Sequence, residues 1–450
     1  MEAVNITNSR VIENVAAQNR KRVIYIALCF MTLFTAYCSG QNLISQIYSQ
    51  LGYGKLGQIC LFCVWTFQGL ISLVANYYKK KISTQTGLIA GALCHVSLIV
   101  AGVWTTYCEG KESALCSTSF VTFLNVSCAI SVGIGAAFLW LGQATYVNEC
   151  ADEKTKGIFT GMFWSIFQTA QILSSILATL ILGFADQFTF YIILVFFGLA
   201  SIGLLYYIQD PVKDPSKPEA PAAQDDNETL AESLQKFKDL FGEQKCYFLF
   251  QALLFSGIAI GCYINFLGAF VTPTVGSDDV NVINKSVGFV LMFLAFGEVA
   301  AGLSMGRLAD MYDKIKLFTV TMYINEAALF VSLLACLFRS YPLAILCGLL
   351  WGYGDTAIQT MINAVIGSVF NGRVELFSAY RFFQSIGLVY SSVLAIMIPR
   401  DMPFLYILAV AGSLMAFHIL YYRYIPRTTK RSQDFLLNDE QKIIHGLKNF

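Results

Sequence analysis

The stretch GRLADMYDKIK, residues 306–316, is a short charged segment between two long apolar runs. The runs cover residues 286–308 and 317–338. Each is close to the roughly 20 residues that a helix needs to cross about 30 Å of hydrocarbon. The pattern predicts a tight hydrophilic connection between two membrane-spanning helices.

Similar apolar runs recur along most of the chain. Of its 450 residues, 56% are hydrophobic and only 13% are charged, and the mean hydropathy is +0.59. This composition excludes an ordinary soluble protein, and runs that are continuous rather than alternating exclude a membrane barrel. We therefore expect an all-α membrane protein whose twelve transmembrane helices span residues 23–47, 56–77, 83–106, 119–147, 157–184, 188–208, 246–271, 286–308, 317–338, 342–368, 374–398 and 402–424.

Basic residues are unevenly distributed between the two sides that these spans define. Of the 30 Lys and Arg residues, Arg381 lies within a span, and 24 face inside if both termini are cytosolic. The exceptions face outside and are Lys55, Lys111, Lys285, Arg339 and Arg400. The excess of positive charge inside predicts cytosolic termini and an even number of spans. For the compartment we expect the plasma membrane or an endolysosomal membrane.

A proline-rich, charged segment interrupts the membrane pattern halfway along the chain. It predicts a cytosolic linker, with a short amphipathic helix near residues 230–241. The expected organisation is a cytosolic N-terminal segment, a six-helix bundle, the linker, a second six-helix bundle and a cytosolic tail, at residues 1–22, 23–208, 209–245, 246–425 and 426–450.

Two bundles of equal helix number suggest an internal repeat. One register lays Gln143 over Gln359 and Gln168 over Gln384, and another lays residues 73–81 over 307–315. Chance matches between apolar sequences are the alternative. Duplicated, pseudo-symmetric halves around a cavity at the middle of the membrane are the expected architecture.

The stretch at 306–316 resembles the loop signature of the major facilitator superfamily, G-x-L-A-D-x-x-x-(R/K). The resemblance implies that Gly306 lets two helices approach closely and that Asp310 meets the N-terminus of a neighbouring helix, where the helix dipole favours a negative charge. Arg307 and Lys314 complete the motif. An ordinary charged turn is the alternative reading.

Three further segments look like the uncoordinated-93-like (UNC-93-like) branch of that superfamily: AAFLWLGQ at 136–143, GYGD at 352–355 and AYRFFQS at 379–385. The chain departs from the expected Asn-Thr-Gln after the aspartate, since Gln359, Thr360 and Met361 stand there. The resemblance implies either a transporter or a protein associated with potassium-channel regulation or with the escort of innate immune receptors.

Four ionisable side chains lie near mid-bilayer, all in the second half: Glu298, Glu326, Asp355 and Arg381. An unpaired charge there costs at least about 2.5–3.5 kcal/mol. We therefore expect Arg381 to pair with Asp355 or Glu298, or these groups to face a wet cavity. They would serve as a structural ion pair, a coupling site for a proton or ion, or a substrate contact. Glu326 is expected only to hydrogen-bond a neighbouring helix.

Amide side chains at helical spacing are expected to line the cavity, with interhelical hydrogen bonding as the alternative. They are Gln143, Gln168, Gln171, Gln359 and Asn363.

Cys108 and Cys116 bracket an outside-facing connection and could form a disulfide there. No catalytic triad, phosphate loop or metal cluster is recognisable in the sequence, so we expect neither an enzyme nor a cofactor. The expected partners are the lipid bilayer, a small solute or proton, and a membrane-protein client if the protein is a regulator. No nucleic acid is expected.

Overall fold

The computed structural model describes residues 2–152, 155–212, 229–277, 280–399 and 402–425. Residues 213–228 of the predicted linker and the predicted tail at 426–450 lie outside the described residues. The described part contains twelve long α-helices and one short one. They are α1 (Glu2–Gln50), α2 (Leu56–Lys81), α3 (Thr84–Tyr107), α4 (Thr118–Cys150), α5 (Lys156–Phe184), α6 (Gln187–Tyr206), α7 (Leu230–Asp239), α8 (Tyr247–Val275), α9 (Val280–Met311), α10 (Lys314–Phe338), α11 (Tyr341–Val369), α12 (Val374–Met397) and α13 (Pro403–Tyr424).

Ten of the long helices are both long and apolar enough to cross a membrane. The other two, α11 and α12, have 29 and 24 residues, so they are long enough to span. They are the helices that carry Asp355 and Arg381, and polar side chains interrupt their apolar sequence. The expected all-α fold is confirmed.

Several helices begin at a residue whose side chain accepts a hydrogen bond from a free backbone N–H of the first turn. Ser83 caps α3, Ser117 caps α4, Asp186 caps α6 and Asp313 caps α10. At these four connections the capping residue lets the chain start the next helix directly after the connection.

The first six helices and the last six pack in the same pattern. In the first half, α1 packs on α5 and α6, α4 packs on α2 and α3, and α3 packs on α6. In the second half, α8 packs on α12 and α13, α11 packs on α9 and α10, and α10 packs on α13. Buried apolar residues accordingly form two core clusters, one mainly in each half. The expected pseudo-symmetric architecture is confirmed.

The halves meet most closely where α5 crosses α9. Gly157 and Gly161 on α5 face Gly302 and Gly306 on α9. A Cβ atom on Gly161 would lie 2.5 Å from the Gly302 carbonyl oxygen and 2.7 Å from Gly306 Cα, so only glycine permits this approach. The contact closes one end of the space between the halves.

The short helix α7 lies at that same closed end and packs on α2 and α12. It begins with a capping box in which Thr229 and Glu232 exchange hydrogen bonds. Phe237 sits edge-on to Phe382 of α12, with ring centroids 5.7 Å apart. The sequence predicts a helix over 230–241, and α7 covers most of that segment.

An ion pair fastens the residues after α7 to the second half. Arg373, which precedes α12, donates to both carboxylate oxygens of Glu243 at 2.7 and 2.9 Å. The hydrogen bond from Arg373 is the main reason that the pKa of Glu243 lies below its usual range. Both side chains are about one-third exposed, so the pair resembles a surface ion pair in strength.

Candidate functional site

A cavity of about 2060 Å³ lies between the two halves. Its mouth is lined by residues from the α1–α2 and α10–α11 connections, including Lys55 and Arg339. Its floor reaches Glu298, Asp355 and Arg381. The cavity therefore opens at the end of the bundle opposite α7 and ends at the buried charges.

The two halves present side chains to this cavity at the same helical spacing. On α2 and α9 the matching series are Leu61, Val64 and Gln68, and Leu291, Leu294 and Glu298. Aligning the lining residues by their spacing, in the register that the contacts of Gly133 with α2 and of Gly352 with α9 support, gives six pairs: Tyr37 and Tyr263, Gln68 and Glu298, Ala136 and Asp355, Trp140 and Gln359, Trp164 and Arg381, and Phe167 and Gln384. The register expected from the sequence, with Gln143 over Gln359, differs by about one helical turn. Matching by residue identity misleads where few residue types recur.

Asp355 is 3% exposed, and both of its carboxylate oxygens accept hydrogen bonds. The Tyr263 hydroxyl of α8 donates to Oδ2 at 2.7 Å. Gln359, one turn further along α11, donates through Nε2 to Oδ1 at 2.7 Å. Hydrogen bonds to an ionised group stabilise it where water is scarce, so these two donors make a carboxylate tolerable at this depth.

A chain of hydrogen bonds links Asp355 to Arg381. Gln359, which donates to Asp355, accepts from the Tyr380 hydroxyl at 3.1 Å. Tyr380 accepts from Gln384 Nε2 at 3.3 Å, and Gln384 Oε1 accepts from Arg381 Nη1 at 2.7 Å. The carboxylate and the guanidinium are thus coupled through three intervening side chains on α11 and α12.

The predicted direct pairing of Arg381 is not present. Across the described residues, no ion pair within 4 Å joins Arg381 to Asp355 or Glu298. The guanidinium lies instead against two aromatic rings, 4.3 Å from the centroid of Tyr380 and 4.6 Å from that of Trp140. Gln384 accepts a hydrogen bond from Nη1 and both rings pack against the guanidinium, whereas neither carboxylate bonds to it directly.

Glu298 of α9 is the second acid at the cavity floor. It is 3% exposed, and its Oε2 has no hydrogen-bond partner in the described part of the chain. It lies near enough to Asp355 for the two groups to interact electrostatically. The described residues hold no cluster of three or more His, Cys, Asp or Glu side chains that could bind a metal ion.

The predicted lining amides divide between two cavities. Gln168, Gln171 and Gln359 line the main cavity, and Gln168 Nε2 donates across the halves to Thr356 at 3.2 Å. Gln143 and Asn363 do not reach it. They line a cavity of about 10 Å³ near the closed end, since they lie about one turn closer to the contact between the halves.

Glu326 lies outside the cavity. Its Oε1 is 2.7 Å from Nδ1 of His418, so the pair joins α10 to α13 at the outer side of the second half. The contact agrees with the expectation that Glu326 only meets a neighbouring helix. Sequence reasoning did not connect it to His418, because 92 residues separate the two positions.

The loop motif at 306–316 lies beside the start of α5. Asp310 accepts from the backbone N–H groups of Gly157 and Ile158 at 2.8 and 2.7 Å. Lys314 is near enough to Asp310 to interact with it electrostatically, and Arg307 is exposed. The aspartate therefore occupies the N-terminus of a helix in the other half, and it does so where Gly306 allows α5 and α9 to touch.

In the α3–α4 connection, Cys108 and Cys116 form a disulfide. The connection also places Lys111 Nζ 3.1 Å from the centroid of the Tyr107 ring. The disulfide joins two residues eight positions apart, at the same end of the bundle as the cavity mouth.

Sequence reasoning missed the aromatic and hydroxyl side chains that position the charges. Tyr263, Tyr380 and Trp140 hold Asp355 and Arg381, and Thr356 joins the halves. The sequence offered one clue, the helical spacing of these residues: Tyr263 lines the cavity at the position on α8 that corresponds to Tyr37 on α1. An apolar span offers many aromatic residues, and only the helix packing selects these.

Two pseudo-symmetric six-helix bundles with a cavity between them, open at one end and closed by glycine contacts at the other, define a membrane protein of the transporter-fold class. The sequence pattern of the Major Facilitator Superfamily matches residues 113–392, more than half of the chain. The chain belongs to this superfamily.

Named relatives and a solved structure agree with this assignment. The UNC93-like protein MFSD11 of Xenopus laevis is 21% identical over 405 residues, covering 81% of this chain and 87% of the relative. Protein unc-93 homolog A of Xenopus laevis is 24% identical over 425 residues, covering 82% and 85%. A bacterial homologue of the iron transporter ferroportin, in an outward-facing state, superposes with a TM-score of 0.66 at 14% identity, covering 90% of this chain and 100% of that one. The expected likeness to UNC-93-like proteins is confirmed, and the structural likeness concerns the fold alone.

Proposed function

We propose that this protein is a secondary transporter that moves a small solute across its membrane by alternating access. The observation that carries the proposal is the cavity of about 2060 Å³, which reaches Glu298 and Asp355 from one end while α5 and α9 close the other. A cavity open to one side, with ionisable groups at its floor, is what a carrier needs in one of its two access states.

The buried groups at the floor have distinct roles in this proposal. Glu298 and Asp355 couple transport to a proton or ion, because ionisable side chains at this depth mark ion and substrate pathways. The linked chain of Gln359, Tyr380 and Gln384 carries a change at Asp355 to Arg381. Asp310 stabilises the closed end by capping α5 from the other half.

The orientation follows from the basic residues. With both termini cytosolic, the cavity mouth faces the outside of the cell or the lumen of an organelle, and the loop motif faces the cytosol. A plasma-membrane or endolysosomal address is consistent with this orientation.

Alternating access can be tested at Cys38 without knowing the solute. Cys38 of α1 is partly buried and lines the cavity, so a small membrane-impermeant thiol reagent should modify it from the mouth side. In sealed vesicles of known orientation, a carrier should also allow modification from the opposite side as it changes state. Mass spectrometry reads the modification at that residue alone.

Cys29, on the same helix but fully buried in the first-half core, should stay unmodified throughout. Modification from one side only would overturn the proposal.

A second candidate function is a non-transporting regulator or trafficking chaperone of a channel or receptor. One observation favours it: Glu326 keeps a quarter of its side chain exposed on the outer side of α10 and α13, where a partner helix could contact it. One-sided labelling of Cys38, together with near-stoichiometric recovery of one membrane protein in mild detergent, would support this alternative.

A further inference from the structure

The guanidinium of Arg381 has donors that no side chain uses. Arg381 is 3% exposed, and Nη1 donates to Gln384. Nε and Nη2 are buried without a hydrogen-bond partner in the described residues. These two nitrogens form one edge of the guanidinium, which is the edge that binds a carboxylate side-on through two parallel hydrogen bonds. Buried donors without partners are unfavourable, so this edge is suited to an anionic group from outside the chain.

The orientation of that edge is fixed by packing. The rings of Trp140 and Tyr380 lie 4.6 and 4.3 Å from the guanidinium carbon, on α4 of the first half and α12 of the second. Trp140 is itself stacked on Trp164, with the ring planes 14° apart. A guanidinium packed against two aromatic rings loses little conformational freedom when it binds an oxyanion.

The same cavity floor also contains an acceptor without a partner. Both oxygens of Asp355 already accept hydrogen bonds, from Tyr263 and Gln359. Glu298 differs, because its Oε2 is buried and has no partner among the residues described. Glu298 comes from α9, whereas Arg381 comes from α12, so the free acceptor and the free donors belong to separate helices of one cavity.

The first half contributes an apolar wall to the same floor. Phe34, Tyr37, Trp140, Trp164 and Phe167 line the cavity there, and none of them carries a charge. An apolar wall beside separated donor and acceptor groups is the arrangement by which small-molecule sites fix the orientation of a ligand.

We propose that the cavity binds a zwitterionic solute of the amino-acid type. Its carboxylate lies side-on to Nε and Nη2 of Arg381, its ammonium group donates to Oε2 of Glu298, and an apolar body lies against the aromatic wall. This assignment rests on the proposed transport function and specifies its substrate class. A lone anion would satisfy only Arg381, and a lone cation only Glu298.

Three probes that share one indole body test the assignment on the purified full-length chain. They are L-tryptophan, which has both charged groups, tryptamine, which has the ammonium alone, and indole-3-propionate, which has the carboxylate alone. A charged hydrogen bond contributes about 1.5–3 kcal/mol, so L-tryptophan should bind at least about 10-fold more tightly than either single-charge probe by calorimetry. Equal Kd values for L-tryptophan and one single-charge probe, or no binding of any of the three, would overturn the proposal.

Two variants separate recognition from a structural role. Arg381→Lys keeps the positive charge but removes the side-on pair, so it should weaken L-tryptophan and indole-3-propionate about 10-fold or more and leave tryptamine unchanged. Glu298→Gln should weaken L-tryptophan and tryptamine and leave indole-3-propionate unchanged. Glu326→Gln is the control, because this carboxylate lies outside the cavity, and it should not change the binding of any of the three probes. Equal weakening of all probes by Arg381→Lys would show that Arg381 only supports the fold, and would overturn its assignment.

Binding is measured without a membrane gradient, so its result is independent of transport. If no probe binds but Cys38 is still modified from both sides, the substrate class is wrong and the transport proposal stands. If L-tryptophan binds with the expected selectivity but Cys38 reacts from one side only, the site is correct and the protein does not alternate.

Discussion

The two walls of the cavity share their positions but not their chemistry. Tyr37 and Tyr263 occupy corresponding places on α1 and α8. Tyr263 donates to Asp355 at 2.7 Å, whereas the hydroxyl of Tyr37 is buried with no partner in the described structure. The reason is that Ala136 stands in the first half where Asp355 stands in the second.

The same contrast extends to the other charged positions. Gln68 corresponds to Glu298, and Trp164 corresponds to Arg381. One helical scaffold therefore carries an uncharged aromatic wall in one half and the three charged residues of the cavity floor in the other. The comparison shows that the repeated helix packing sets which positions face the cavity. Substitutions at single positions then determine that the ionisable side chains of the floor lie in the second half.

The largest effect on the free energy of unfolding is expected from Asp355→Ala, which puts the corresponding first-half residue, alanine, in the place of the second-half acid. Asp355→Ala leaves the Tyr263 hydroxyl and the Gln359 amide as buried donors without an acceptor, each worth about 1–3 kcal/mol. The free energy of unfolding in mixed micelles should fall by about 2–4 kcal/mol. Gln171→Ala, which truncates a first-half cavity amide, should change it by less than about 1 kcal/mol. A stability equal to wild type would mean that burying the carboxylate costs as much as its hydrogen bonds contribute.

An intermediate effect is expected from the tyrosine pair. Tyr263→Phe removes one hydrogen bond to a carboxylate and should lower the free energy of unfolding by about 1.5–3 kcal/mol. Tyr37→Phe removes a hydroxyl that has no partner among the described residues, so it should be neutral or slightly stabilising. Both are measured by the same micelle unfolding assay. Equal losses in the two variants would contradict the difference drawn between the walls.

The smallest effect concerns the two basic residues at the starts of α5 and α12. Lys156 donates across the halves to the Gly367 carbonyl at 2.5 Å, whereas Arg373, at the corresponding position, binds Glu243 beside the linker helix. Arg373 lowers the pKa of Glu243, so the pair stabilises the fold above the unfolded-state pKa of about 4.3. This contribution is lost as the pH falls through the lower folded-state value.

Glu243→Gln should therefore reduce the free energy of unfolding by no more than about 1 kcal/mol at pH 7, and the difference from wild type should shrink as the pH falls below the unfolded-state pKa of about 4.3. The exposed Glu112→Gln serves as the control, with no expected change across this range. A difference for Glu243→Gln that grows on acidification would have the wrong sign for a carboxylate held by Arg373.

The sequence was sufficient for the fold and for the identity of the buried charges. Apolar run length and the 306–316 motif led to a twelve-helix protein of the major facilitator superfamily, and Asp355, Glu298 and Arg381 stand out because charge is rare in such helices. The partners of these charges were not accessible. Whether Arg381 meets Asp355 or the ring of Trp140 depends on the rotation of α4 and α12 about their axes, and apolar sequence constrains that rotation weakly.

The alignment of the two halves could not be predicted from residue identity, for a related reason. Residue identity aligns Gln143 with Gln359, but Trp140 is the residue that lines the cavity at the position corresponding to Gln359. The pseudo-symmetry relates backbone positions and not side-chain types. The spacing of Tyr37 and Tyr263 on their helices was the available clue.

The junction of α5 with α9 has a consequence for the kinetics of any opening at that end. Separation of the helices would break the two hydrogen bonds from the N–H groups of Gly157 and Ile158 to the Asp310 carboxylate at the same moment. Water must then solvate these groups and the glycine backbone that the α5–α9 contact covers. The frequency of opening is then governed by hydration, and it should decrease when osmolytes lower the activity of water.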